Sequence, residues 1–141
     1  MIISFVACCK LKSSNKTTAE KMYISSLFKL SLKYAKEHSD KVFILSAKYG
    51  LLALDDIIEP YNETLNTKTD DEIKEWSKKI IQSIKNLGLE KSRFLYLCGS
   101  NYKKYLKKEL KGKDPLEGLS LGFRLQWLKK QTSKSYNILE D

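Results

Sequence analysis

Histidine is almost missing from this chain. His38 is the one example in 141 residues, and only three cysteines accompany it. One imidazole with scattered thiols argues against a structural zinc site. Cysteine is sparse and odd in number, and Cys8 and Cys9 are adjacent, so a disulfide framework is not expected and a reducing, cytoplasmic setting is. No apolar run approaches the ~20 residues of a membrane span, and no membrane partner is expected. Met1 to Val6 is apolar but lacks a basic flank and a cleavage site, so it is not read as a signal peptide. Arginine is scarce too: of 26 basic residues only Arg93 and Arg124 are Arg.

What the chain does have is apolar residues (42%) and positive charge, 26 Lys and Arg against 17 Asp and Glu, for a net +9. The first supports one folded domain spanning residues 1–141. The second favours a polyanionic partner, although a lysine-rich, well-solvated surface would give the same balance. The charge is segregated: residues 100–113 hold six Lys and one Glu, and residues 55–75 hold eight acids and two Lys. Segregation is what a binding face requires.

Residues 1–7 read as a buried strand, continuous and β-branched at Ile2, Ile3 and Val6. A capping box of Thr17 with Glu20 predicts the start of a helix, with Tyr23, Leu27, Leu30 and Tyr34 as its apolar stripe and an end near His38. Residues 41–45 are a second buried strand. Ser46 to Asn66 has no sustained period and reads as a long irregular, functional connection. Thr69 with Glu72 opens another helix, striped by Ile73, Trp76, Ile80, Ile84 and Leu87 and closed by Gly88. Residues 93–98 form a third strand. Tyr102, Tyr105, Leu106 and Leu110 suggest a basic helix, Gly112 to Gly118 a loop, and residues 121–131 a last helix. The alternation predicts an α/β fold: a three-layer α/β/α sandwich with a mainly parallel sheet. Its strands then share one carboxyl edge, where ligands of open α/β sheets bind.

The residues leaving the strands at that edge are the candidates. Cys8 follows the first strand, where a thiol activated by Lys10, Lys12 or a helix N-terminus could attack an electrophilic carbon; alternatively Cys8 and Cys9 are small apolar fillers. In Ser46-Ala47-Lys48-Tyr49-Gly50, the glycine permits a tight turn, Tyr49 offers a face for stacking a base, and Lys48 could meet a phosphate. Asp55, Asp56 and Glu59 lie beside Pro60 and Tyr61. Such a carboxylate can orient water or stabilise an oxocarbenium-like sugar, though Asp55 and Asp56 could equally cap a turn. Gly99, Ser100 and Tyr102 leave the third strand. Arg124 and Gln126 can make bidentate contacts to phosphate or base edges, on a helix whose Trp127 packs inward.

These residues also occur in a recognisable order: Cys8-x-Lys10-x-Lys12, Ala19 with Tyr23 and Ser25, Leu45-Ser46-Ala47-Lys48-Tyr49-Gly50-Leu51, Pro60-Tyr61, Gly99 with Tyr102, and Gly122-x-Arg124-Leu125-Gln126-Trp127-Leu128. The chain resembles, from Val6 to Leu128, a family of small, formerly uncharacterised bacterial and phage domains. That family is similar, more remotely, to the catalytic core of archaeosine synthase and to the uracil-DNA-glycosylase-like superfamily. Cys9 stands where the family pattern has a small residue. The resemblance implies a uracil-DNA-glycosylase-like fold and chemistry on a nucleobase, with Cys8, Lys10, Tyr23, Ser46, Lys48, Tyr49, Pro60 and Tyr61 lining the pocket.

The expectation is a metal-independent DNA glycosylase or related base-modifying enzyme without a cofactor. It would act on nucleic acid, DNA rather than RNA, and excise a modified base such as those of phage DNA. Asp55, Asp56 or Glu59 would assist water, or Lys10 or Lys48 would attack the sugar. Group transfer to a 7-deazaguanine-type base with Cys8 as nucleophile is the alternative, and a non-enzymatic nucleic-acid-binding module a third.

Overall fold

The computed structural model describes residues 1–140, with side chains described for residues 1–132. In chain order the elements are β1 (Ile2–Ala7), β2 (Thr17–Thr18), α1 (Ala19–Met22), α2 (Ser26–His38), β3 (Lys41–Ser46), β4 (Gly50–Ala53), β5 (Ile57–Ile58), a 3₁₀ turn (Leu65–Thr67), α3 (Asp70–Asn86), β6 (Arg93–Leu97), α4 (Ser100–Lys103), β7 (Gly112–Lys113) and α5 (Leu121–Glu140). Five strands make one mixed sheet in the order β4-β3-β1-β6-β7; β2 and β5 pair separately. β1 lies parallel to both β3 and β6, with Ala7 opposite Leu45 and Val6 opposite Leu97. The three long apolar runs therefore occupy the middle of a parallel sheet, and each ends at the same edge.

Side-chain alternation along these strands divides the core in two. Ile3, Phe5, Phe43, Leu45, Phe94 and Tyr96 face α3, where Ile73, Ile80, Ile81 and Ile84 cover them. Val6, Val42, Ile44, Leu95 and Leu97 face the other way, against Phe28, Leu32 and Ala35 of α2 and Leu128 of α5. The sheet is thus covered on both sides, as the α/β reading expects.

Several local readings are corrected. The Thr17–Glu20 box caps nothing: Thr17 and Thr18 pair with Ile57 and Ile58, and Thr18 makes no side-chain cap bond. The working cap is Ser25, whose Oγ accepts from the Phe28 N–H at 3.1 Å. The helix starts eight residues later than the box predicted, so its buried stripe is Phe28, Ser31, Leu32 and Ala35, and the predicted Leu27, Leu30 and Tyr34 flank it half-buried. The Thr69–Glu72 box is present in both directions, and Gly88 takes φ 71° just past the end of α3.

The stretch read as irregular from Ser46 to Asn66 opens instead as a β-hairpin and includes β5; residues 59–64 are irregular. β4 runs antiparallel to β3, with Gly50 opposite Ser46 and Ala53 opposite Phe43. Gly50, the first residue of β4, has φ 77°, a left-handed conformation that glycine adopts without steric cost as the chain re-enters the ladder. The predicted basic helix is a single turn, α4, followed by further turns. Gly112 and Lys113, read as loop, form β7 beside Phe94 and Leu95. No helix among the described residues is long and apolar enough to cross a membrane.

Candidate active site

Two adjoining cavities open at the carboxyl edge. One, of about 330 Å³, is lined by Cys8, Cys9, Lys10, Lys12, Glu63 and Tyr102, among others. The second, of about 200 Å³, shares Cys8, Cys9, Asn66 and Tyr102 and adds Gly99, Ser25 and Arg124. Cys8 stands on the wall common to both. Its backbone N–H extends the β1–β3 ladder to the Leu45 carbonyl at 2.9 Å, so the thiol is carried on a rigid strand end.

Cys8 Sγ lies 3.3 Å from the Tyr102 hydroxyl. That hydroxyl accepts from the Leu65 N–H at 3.4 Å and keeps its own proton to give. Burial raises the Tyr102 pKa well above the usual phenol value, so at neutral pH the group is a proton donor. Trp76 meets the Tyr102 ring edge-on, with centroids 5.6 Å apart, and its indole N–H donates to the Ser46 carbonyl at 2.9 Å. Trp76, which its helical stripe marks as core, therefore ties α3 to two strand ends.

A second hydroxyl cluster starts from Ser46, buried at the end of β3. Its Oγ accepts from the N–H groups of Lys48 (3.2 Å) and Tyr49 (2.9 Å). With both lone pairs taken, it donates to Tyr61 Oη at 2.8 Å. Tyr61 and Tyr23 hydroxyls are 2.6 Å apart. Three hydroxyl protons serve two bonds among these groups, so one proton is left over within the cluster, whose members line neither rim cavity. Burial raises both phenols, Tyr23 to about 12 and Tyr61 further, so both remain protonated at neutral pH. Lys12 Nζ sits 4.5 Å from the Tyr61 ring centroid, placing a cation over the cluster.

Not every candidate comes to the rim. Because β4 runs back along β3, Ala53 is three residues from the Ser46 end, about 10 Å. Asp55 and Asp56 follow it, exposed, and line neither cavity. Asp56 instead caps the turn, its Oδ2 accepting from the Ala53 N–H at 2.8 Å. Lys48 and Tyr49 sit on the hairpin loop and line a different cleft of about 690 Å³ against Trp76 and Lys79 of α3. Tyr49 still touches the site indirectly: its ring meets Tyr61 edge-on at 5.6 Å, and its hydroxyl accepts from the Glu59 N–H. Pro60 and Ser100 are exposed and line neither rim cavity, and Gln126 points to a shallow groove beside Phe123 and Trp127. Arg124 does reach the site, with its Nε donating to the Leu119 carbonyl at 2.8 Å.

The basic segment is partly spent on structure. Lys103 is buried and pairs with Asp114 at 2.6 Å; Lys107 meets the same carboxylate at 3.0 Å, and Lys104 pairs with Asp70 at 3.0 Å. Asp114 and Lys103 escape a sequence reading because ten residues of turns and the short β7 separate them, with no period to relate the two.

The chain belongs to the DUF6884 family, a family of unknown function that it matches over residues 3–130. No curated protein and no solved structure matches it.

Proposed function

We propose that this protein modifies a nucleobase, holding the base at the carboxyl rim and attacking it with Cys8. The observation that carries the reading is the Cys8 thiol at the junction of two cavities, 3.3 Å from a protonated phenol. A thiol so placed adds to an electrophilic exocyclic carbon, such as the nitrile of a 7-deazaguanine-type base. An S–C bond forms, one C–N π-bond opens, and the thiol proton ends on the nitrogen, relayed by Tyr102. Lys10 and Lys12 at the mouth would meet backbone phosphate. The fold that accompanies this proposal is the uracil-DNA-glycosylase-like arrangement.

Excision of a modified base from DNA is the second reading. Glu63 favours it, as the carboxylate on the wall of the larger rim cavity, standing where Asp55 and Asp56 were expected to act. Incubating the protein with DNA carrying hypermodified bases separates the two by mass spectrometry. A strand-linked adduct on the peptide containing Cys8, one nucleotide in mass after nuclease digestion and lost in Cys8→Ser, supports covalent transfer. Free base with an abasic strand, retained in Cys8→Ser, assigns excision. An unchanged substrate with unmodified protein rejects both.

A further inference from the structure

We propose a second ligand site at the opposite, amino edge of the sheet, for a phosphate group attached to a flat aromatic body, of nucleoside monophosphate size. A cavity of about 410 Å³ opens there between the start of β1, the start of β6, β7 and the end of α2. That volume falls in the range of small-molecule sites. Its apolar surface comes from Ile2, Phe94 and Leu95, and one wall is the Tyr34 ring, held at a tilt between His38 (centroids 4.1 Å apart) and Trp127 (5.0 Å). The remaining walls carry Arg93, Lys111 and Lys113, and no carboxylate lines the cavity.

Within the basic segment Lys103, Lys104 and Lys107 are each held by a carboxylate and Lys108 lies over the Tyr105 ring, whereas among the described residues none of Arg93, Lys111 and Lys113 has a carboxylate within ion-pair distance. Asp40, close by in the chain, already accepts from the Ile2 N–H at 2.7 Å. Three cations that no described carboxylate pairs, set around an apolar, aromatic-walled cavity, match an anion joined to a ring: the guanidinium and ammonium groups take the phosphate oxygens, and the ring packs against the wall that Tyr34 lines. β7 brings Lys113 into place, which gives this two-residue strand a purpose beyond the sheet. The site goes beyond the nucleobase chemistry above and shares no residue with it. β1 separates the two by its six residues, about 20 Å.

The test is amide NMR titration of the intact protein with adenosine 5′-monophosphate, with adenosine, and with a short single-stranded oligonucleotide. Saturable shifts at Ile2, Gly112 and Lys113, with Cys8 and Gly99 unmoved, support the site. Shifts there with the monophosphate assign a free nucleotide, and shifts there only with the oligonucleotide assign a strand phosphate. Arg93→Gln, at an exposed strand position, should weaken that binding about tenfold or more. Equal binding of adenosine and its monophosphate, shifts confined to the rim, or an Arg93→Gln variant that binds normally would overturn the proposal.

Discussion

At the scale of single residues, Ser46 and Asp114 carry more than their sequence context suggests. Ser46 Oγ is saturated, accepting two loop N–H groups and donating to Tyr61. Ser46→Ala removes three hydrogen bonds at once and leaves the hairpin loop without its internal acceptor. The expected loss is about 1–3 kcal/mol of stability, read as a lower denaturant midpoint with an unchanged slope. Ser46→Thr should retain most of it, because the hydroxyl survives. Asp114 is the partner of the buried Lys103, and its other oxygen, Oδ1, is buried without a hydrogen bond among the described residues. Asp114→Asn leaves an ammonium in the interior with no counter-charge, for a cost of about 3–5 kcal/mol. Adding Lys103→Met should recover much of that loss; a double variant as unstable as the sum of the singles would show that the pair is not coupled.

At the scale of elements, Gly112 decides whether β7 exists. A Cβ at this position would collide with the backbone carbonyl of Phe94, its partner in the ladder. Gly112→Ala should therefore detach β7, exposing the Phe94 N–H, which now donates to the Lys111 carbonyl at 3.0 Å. Hydrogen exchange would show it as faster exchange at Phe94 and Leu95 with β1 and β3 unchanged. Uniform protection in the variant would mean that the strand had shifted intact. Elements of this kind mark the limit of what the chain discloses by pattern. The central strands were legible because a strand buried on both faces is a continuous apolar run, and α3 because its cap and stripe agree. β4 and β7 were not: the hairpin depends on the Gly50 conformation and on Ser46 serving its own loop, and β7 on the missing side chain of Gly112 against the backbone of β6. The same cause explains the site. Strand ends placed Cys8, Ser46, Gly99 and Tyr102 together, but the antiparallel return of β4, invisible to periodicity, carried Asp55 and Asp56 off the rim. Thr17 and Glu20 have the spacing of a capping box, yet Thr17 and Thr18 instead pair with the β5 strand.

At the scale of the whole molecule, the hydroxyls and thiols gathered between the sheet and its helices set how the fold responds to alkali. Burial raises the Cys98 thiol from 9.0 to about 12 and the Tyr23 phenol from 10.0 to about 12, and it pushes Tyr61, Tyr96 and Tyr102 up as well. Each group holds its proton more tightly folded than unfolded. Above the unfolded value the open chain has lost the proton while the native chain keeps it, so stability falls as pH rises, by about 1.4 kcal/mol per pH unit for each group until its folded value is passed. Below pH 9.0, the ordinary thiol value, these five groups contribute no pH dependence. The loss should begin with Cys98, then steepen above 10.0 as the four tyrosines join. Tyr105 adds little: its pKa rises through its bond to Asp70, but the pair is exposed and screened. Thermal melts between about pH 8 and pH 11, followed by tyrosinate absorbance, should show unfolding and phenol ionisation in one cooperative step. Ionisation of all eight tyrosines at ordinary phenol values in a still-folded chain would mean that the hydroxyl cluster beneath the sheet edge is open to water, and its unshared proton would then be no different from a solvent proton.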